Sequence, residues 1–312
     1  MDRHLDLVEP VLYGDLFDYP LTLDEAHRFC RVPIERAELE RALADPEGAG
    51  RWVGRVDGYY VMRGREALVT TRRRRSLASE RSRRRAKSTM GVLQYLPFLR
   101  GSLVTGSAAV DNAEADDDLD YLVLVEPGRL WLVFAMLGTL QRLGLRRRLC
   151  VNYYLSLDHL DLRARSAFVA RELLQAQSLS GSRDVERLFE ANSWIADHYP
   201  NAPPPTARPT ESGVERRRGP ARRMTEAIEG LLGGELGDAL EHAARRLLAH
   251  RLAAHYRTYG LEVPEEVRQR ALAGEELRFH ANDYHRNVAA RLERRMDELR
   301  SRRRDSTEPN RP

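Results

Sequence analysis

Two aspartates separated by a single leucine stand directly ahead of an apolar run near the middle of the chain. They are Asp118 and Asp120, and residues 121–125 that follow are aliphatic apart from one tyrosine. Because residues i and i+2 of a strand point to the same face, both carboxylates should project from one strand edge. Adjacent carboxylates repel each other unless a cation lies between them, and Mg²⁺ prefers oxygen ligands. The pair therefore predicts a divalent-cation site, although Asp116 and Asp118 form a second i, i+2 pair further from the apolar run.

A turn of small residues precedes this pair. The apolar run 103–105 stops at Gly106 and Ser107, and a polar, acidic loop then leads to the aspartates. Backbone N–H groups of such a turn can bind phosphate oxygens, and the serine hydroxyl adds a further polar group. Mg²⁺ is usually held by one or two carboxylates together with substrate phosphates. The turn and the aspartates together predict a phosphoryl-transfer site.

This pattern resembles the nucleotidyltransferase superfamily typified by DNA polymerase beta, whose signature is Gly-Ser, a spacer and then Asp-x-Asp opening an apolar strand. Gly106-Ser107 and Asp118-x-Asp120 match it in order and spacing. The core resemblance covers about residues 100–158, and the wider organisation is similar to a family of bacterial predicted nucleotidyltransferases with a winged helix ahead of this domain. The resemblance implies that Asp118 and Asp120 are catalytic and hold Mg²⁺ or Mn²⁺, and that Gly106 and Ser107 bind an NTP.

The chain departs from the superfamily at the next strand, which usually supplies a third carboxylate. Residues 149–155 are typical of that strand, and Asn152 would occupy the third position. An amide oxygen can coordinate a metal but cannot act as a general base at neutral pH. Two interpretations follow. Asn152 either helps to position the nucleotide or metal in an active transferase, or belongs to a site that binds a nucleotide without turning it over.

The first 65 residues have the order of a winged helix-turn-helix, with three predicted helices ahead of a hairpin. A capping box at Thr22–Glu25 starts the second helix, and an Asp-Gly pair at 57–58 between two β-rich runs predicts the hairpin turn. The third helix, at 33–44, mixes glutamates with arginines and suits a phosphate backbone poorly. The unit could contact DNA through this helix or serve as a packing or protein-binding module.

The predicted fold class is α+β, with a small mixed sheet between helical regions. The predicted parts are a winged helix-turn-helix-like domain at 1–65, a linker helix at 66–99, the nucleotidyltransferase core at 100–158, a helical domain at 159–300 with a Pro-rich linker at 201–220, and a disordered tail at 301–312. The linker helix carries many arginines. We expect them to form a solvated face, with nucleic-acid contacts or contacts to the acidic site as alternatives.

Composition narrows the function classes. The 312 residues include 42% hydrophobic and 31% charged side chains, enough for more than one domain with its own core. Cys30 and Cys150 have no metal-ligand spacing, and the sequence contains neither a P-loop nor a Gly-x-Gly-x-x-Gly fingerprint. The net charge of +4 favours polyanionic partners weakly, but Lys87 is the only lysine, so arginine runs reflect composition as much as function.

No segment predicts a membrane partner. The first residues lack the pattern of a signal peptide, and the apolar stretch 130–140 is too short to span a bilayer. The expected location is therefore the cytoplasm.

Three functions remain open at this stage. The first is an enzyme that transfers an NMP group from an NTP to an acceptor, which could be a small molecule, a protein or an RNA end. The second is a nucleotide-binding regulator with a DNA- or protein-binding winged helix, and the third is a structural scaffold. Adjacent carboxylates argue against the scaffold, because they are electrostatically unfavourable without a cation.

Overall fold

The structure is a computed structural model. It describes residues 3–145, 149–203, 219–258, 263–279 and 282–307. Most of the predicted Pro-rich linker at 201–220 and the last five residues of the predicted tail lie outside this part of the chain.

Three helices and a small antiparallel sheet open the chain. They are α1 (Arg3–Asp15), β1 (Leu21–Thr22), α2 (Leu23–Arg28), α3 (Arg36–Ala44), β2 (Val53–Val56) and β3 (Tyr59–Met62). The strand order is β1-β3-β2. Asp57 and Gly58 both adopt positive φ, as the tight turn between β2 and β3 requires, so the predicted hairpin is confirmed. The predicted capping box at the start of α2 is also present.

The third helix begins later than predicted. It starts at Arg36 rather than at 33, because the preceding segment is bound by a distant asparagine. The side chain of Asn201 accepts from Ile34 N at 3.0 Å and donates to Val32 O at 2.8 Å. A helix that began at 33 would need the Val32 carbonyl for its first intrahelical bond, and here that carbonyl is bound by Asn201.

A long helix leads to a five-stranded mixed sheet. The helix is α4 (Leu68–Leu93), and the strands are β4 (Leu99–Val104), β5 (Asp120–Val125), β6 (Cys150–Ser156), β7 (Gln177–Ser180) and β8 (Glu276–Arg278). Their order is β7-β4-β5-β6-β8, and only β5 and β6 run parallel. A parallel pair needs a crossover, which α6 (Leu130–Leu140) provides. The predicted α+β class with a mixed sheet is confirmed, although β7 and β8 lie in the region predicted to be helical.

The remaining elements are helices. They are α5 (Gly106–Ala109), α7 (Ala167–Gln175), α8 (Ser182–Ala191), α9 (Ile195–His198), α10 (Pro220–Leu232), α11 (Glu235–Thr258), α12 (Glu265–Ala273) and α13 (Asn282–Thr307). Because α13 continues through Thr307, residues 301–307 are helical rather than disordered as predicted. No helix in the described part of the chain is long and apolar enough to cross a membrane.

Three apolar clusters hold these elements together. One face of the five-stranded sheet packs against α4, α6 and α11, and the other face packs against α7, α8 and α9. Met296 and Leu299 of α13 complete the core of the N-terminal helices, and Phe29 beside α2 packs into the α7–α9 cluster. The N-terminal unit is therefore fixed on the sheet region by apolar contacts from both sides.

Candidate functional site

The Gly-Ser turn directly follows β4 and faces the start of β5. Gly106 has a φ of +66°, and a Cβ placed on it would lie 2.5 Å from Asp120 Oδ2. Thr105 N donates to Asp120 O at 2.9 Å, which fixes the turn against the strand. Glycine is required here both by the backbone conformation and by the close approach of the carboxylate.

Ser107 connects the turn to the acidic loop. Its hydroxyl donates to Asp117 Oδ2 at 3.1 Å, and the same oxygen accepts from Glu114 N at 2.9 Å. The carbonyl of Ser107 accepts from Asn112 N at 2.9 Å. The loop between the turn and the two aspartates is therefore an ordered structure built on Ser107.

The two predicted aspartates occupy different positions. Asp120 is the first residue of β5, is half-buried and lines a cavity that is open to solvent, whereas Asp118 precedes the strand and is exposed. The exposed Asp118 and the half-buried Asp120 flank the buried Leu119, which is the alternation of an extended segment, and Cys150 N donates to Leu119 O at 3.1 Å. That both carboxylates project from one strand edge stays a prediction. Asp116, from the alternative pair, is also exposed.

The electrostatic setting of Asp120 is unfavourable for a bare carboxylate. Burial raises the pKa of Asp120 to about 6, and the negative charges of Asp118 and Asp117 act in the same direction. A hydrogen bond from Asn152 lowers this pKa but does not offset the other effects. The effect of Asp118 on this pKa is an electrostatic coupling between the two predicted aspartates.

Asn152 reaches Asp120 through a bulge in β6. The register pairs Tyr121 with Val151 and then Leu122 with Tyr153, so Asn152 is the extra residue. Bulges of this kind redirect a side chain and are common beside active sites.

The amide of Asn152 presents its nitrogen to the carboxylate. Asn152 Nδ2 donates to Asp120 Oδ1 at 2.5 Å, and its Oδ1 accepts from Cys150 Sγ at 3.3 Å. The amide therefore acts as a hydrogen-bond donor to Asp120, and its oxygen accepts from the cysteine thiol.

A further carboxylate, which was not predicted from the sequence, lines the same cavity from α7. It belongs to Glu172, whose side chain makes no hydrogen bond or ion pair with the described residues. Burial raises the pKa of Glu172 to about 7, the charge of Asp120 raises it further, and Arg171 lowers it. The sequence feature that could have indicated Glu172 is an Arg-Glu pair within the largely apolar stretch 167–176. Charged residues on a buried face that lack a structural partner are often functional.

These groups surround one cavity of about 430 Å³. Four of the five predicted site residues line it, namely Gly106, Ser107, Asp120 and Asn152. Other parts of the lining come from α7, from Tyr13 at the end of α1 and from Phe17 just beyond it. The volume lies within the usual range for small-molecule sites.

Arginines of α4 fix the loop that leads to Asp120. Arg72 is buried and donates to Val110 O at 3.1 Å and to Asp111 O at 2.7 Å. Arg83 ion-pairs with Asp111 at 2.5 Å. The expectation of a wholly solvated arginine face is therefore wrong for these two side chains, which contact the acidic loop instead.

A buried arginine joins α7 to the N-terminal helices. Arg171 is 2% exposed, and its guanidinium lies over the rings of Tyr13 at 3.9 Å and Phe29 at 4.1 Å. Its Nε and Nη1 atoms have no hydrogen-bond partner in the described chain. Burial raises the pKa of Glu9 to about 7, and the charge of Arg171 opposes that effect.

No family model, no curated protein and no solved structure matches the chain. The geometry of the cavity is therefore the basis for a functional argument.

Proposed function

We propose that this protein is a Mg²⁺-dependent nucleotidyltransferase that moves an NMP group from an NTP to a hydroxyl of an acceptor. The observation that carries the proposal is the convergence of Gly106, Ser107, Asp120 and Asn152 on one cavity. These residues were selected by a sequence pattern, and β4, β5 and β6 bring them together. The resemblance to the polymerase-beta-like superfamily supports the same reaction.

The residues present fit a divalent cation. The raised pKa of Asp120 reflects burial and neighbouring negative charge that a cation would offset. Within the described chain, no three His, Cys, Asp or Glu side chains lie close enough to hold an ion without further ligands. Asp118 and Asp120 would therefore hold Mg²⁺ or Mn²⁺ together with substrate phosphates, as is usual for Mg²⁺. When bound, the ion would stabilise charge on the reacting phosphoryl oxygens.

The chain supplies the groups for an in-line displacement. The turn at Gly106 and Ser107 binds the triphosphate, and Asn152 orients Asp120. The carboxylate of Glu172 accepts the proton of the acceptor hydroxyl, whose oxygen forms a new bond to the α-phosphorus. The bond from that phosphorus to the bridging oxygen of the β-phosphate breaks, and pyrophosphate leaves. Glu172 therefore takes the proton-accepting role that Asn152 cannot fill.

One observation favours a second candidate, a regulator that binds a nucleotide without turnover. Asn152 gives Asp120 an amide donor where the superfamily usually has a carboxylate. Incubation with each labelled NTP and Mg²⁺, followed by mass analysis of small molecules and of the protein, separates the two functions. The transferase predicts pyrophosphate and a labelled acceptor, which includes self-labelling if the acceptor is a protein. Nucleotide binding without pyrophosphate would support the regulator, and no binding would exclude both.

We further propose that the N-terminal unit is a winged helix used for packing rather than for DNA binding. Most charges of α3 are paired within the unit, because Arg36 contacts Asp24 at 2.6 Å and Glu40 contacts Arg55 at 3.0 Å. Paired charges leave little positive potential for phosphates. We expect no shift of duplex DNA at low salt, and a salt-dependent shift would contradict this assignment.

A further inference from the structure

The cavity is lined by both charged and aromatic groups. The Gly-Ser turn and the carboxylates of Asp120 and Glu172 contribute to the lining, and so do Tyr13, Phe17 and Phe168. Such a lining suits a ligand with a charged part and an apolar part.

We propose that the ring of Phe17, held by Tyr13, is the stacking surface for the nucleobase of the bound NTP. The N-terminal unit then forms a wall of the nucleotide site. That the stacked ligand ring is a nucleobase rests on the proposed function. The inference extends the nucleotide site to a part of the chain outside the predicted nucleotidyltransferase core.

Phe17 is the aromatic side chain of the N-terminal unit best placed for this role. Three aromatic residues of that unit line the cavity. Tyr13 and Tyr19 each have a guanidinium over the ring, at 3.9 Å from Arg171 and 4.0 Å from Arg72. No guanidinium covers Phe17 within the described chain, and its side chain is only partly buried. A ring that is supported on one side and accessible on the other can stack a base.

The ring of Phe17 is also held in place. Its centroid lies 5.3 Å from that of Tyr13, with the planes tilted by 42°. Tyr13 is itself 9% exposed and fixed under the guanidinium of Arg171. The pair is therefore a preorganised surface rather than a mobile side chain.

One asparagine connects Phe17 to the Gly-Ser turn. Asn112 Nδ2 donates to Phe17 O at 3.1 Å, and Asn112 N donates to Ser107 O at 2.9 Å. The backbone that carries the stacking ring is thus bonded to the loop that carries the turn, so the two are held in one fixed arrangement beside the cavity.

The test compares the affinity for a ligand that carries a nucleobase with the affinity for one that does not, in matched variants. Calorimetry with Mg²⁺ measures the Kd of ATP and of inorganic tripolyphosphate for the wild type, Phe17→Ala, Phe17→Leu and Trp52→Ala. Trp52 is a suitable control, because it is a partly buried aromatic residue packed on the same apolar cluster but does not line the cavity. We expect both Phe17 variants to bind ATP about tenfold more weakly, with tripolyphosphate unchanged. Trp52→Ala should bind both ligands as the wild type does.

Two results would overturn the inference. Unchanged ATP affinity in both Phe17 variants would show that the base lies elsewhere, and equal losses for ATP and tripolyphosphate would show a structural role only. Phe17→Leu retains apolar bulk, so it keeps the test valid if the alanine variant unfolds.

Failure of the proposed function has a different signature. If the wild type binds neither ATP nor tripolyphosphate, the proposed function fails, and adenosine then tests the ring site alone. Adenosine binding that Phe17→Leu weakens supports the stacking surface. Absence of adenosine binding rejects it.

Discussion

The carboxylates of the loop after the Gly-Ser turn and the carboxylates of the cavity have opposite electrostatic settings. Asp111 and Glu114, in the loop after the turn, form ion pairs with arginines of α4. Asp120 and Glu172 face the cavity, and no ion pair joins either of them to a basic side chain in the described chain. Their pKa values are raised by burial, and negative charge adds to this effect, from Asp118 and Asp117 at Asp120 and from Asp120 at Glu172.

This difference separates carboxylates that stabilise the fold from carboxylates that are available to bind a ligand. A paired carboxylate stabilises the loop conformation, whereas an unpaired buried carboxylate destabilises the protein until a cation or proton arrives. The loop carboxylates therefore position the site, and the cavity carboxylates are the ones that can take part in chemistry. The following predictions test this division.

The largest expected effect comes from Asp120→Asn. Loss of the cavity carboxylate should lower Mg²⁺-dependent transfer by at least about 10³-fold, because the ion loses its buried ligand. The same change should stabilise the ligand-free protein by about 1–2 kcal/mol at pH 7.5, since it removes a buried carboxylate with a raised pKa. Turnover assays and urea unfolding measure the two effects. A variant with unchanged turnover would remove Asp120 from the site.

Glu172→Gln should give the next largest effect. Transfer should fall by about 10²–10³-fold with little change in nucleotide Kd, because the variant keeps the shape of the side chain but loses the proton acceptor. Glu114→Gln is the matched control, as its carboxylate is paired with Arg74 and Arg75 outside the cavity. Equal losses in both variants would contradict the distinction between loop and cavity carboxylates.

Gly106→Ala should show how closely the turn approaches Asp120. The added Cβ would meet Asp120 Oδ2 at 2.5 Å, and the positive φ is strained for alanine. Gly128→Ala is the matched control, because Gly128 has a φ of +70° and no neighbouring atom within 4 Å of an added Cβ. Both variants should lose about 1 kcal/mol of stability from backbone strain, and only Gly106→Ala should lose nucleotide affinity as well. Unfolding curves and calorimetry report the two quantities.

The sequence predicted the elements whose signals are local. The Asp-Gly turn at 57–58 and the apolar runs around Asp120 and Asn152 each carry their own pattern, so the hairpin and the strands β4 to β6 were predictable. The short strands β7 and β8 have no such pattern and form because the sheet edges accept them. For Glu172 the sequence offers only a charged pair in a largely apolar stretch, and its place in the cavity could not be predicted because it depends on how α7 packs across the sheet.

Glu9 tests whether a buried carboxylate outside the cavity affects stability without affecting activity. It is a buried carboxylate with an unpartnered Oε2 in the described chain, but it does not line the cavity. Burial raises the pKa of Glu9 from 4.5 to about 7, so the folded protein binds a proton more tightly than the unfolded chain does. The resulting stability is fully present below about pH 4.5 and is lost as the pH rises through 7.

Glu9→Gln should therefore match the wild type in stability at about pH 4 and exceed it by about 1–3 kcal/mol at about pH 8. Urea unfolding at several pH values across this range measures the divergence. Transfer activity should not change, because an unpaired carboxylate outside the cavity has no access to the ligand. A variant that is less stable than the wild type at pH 8 would mean that Arg171 stabilises the Glu9 carboxylate more than burial destabilises it. Glu9 would then belong with the paired carboxylates of the loop.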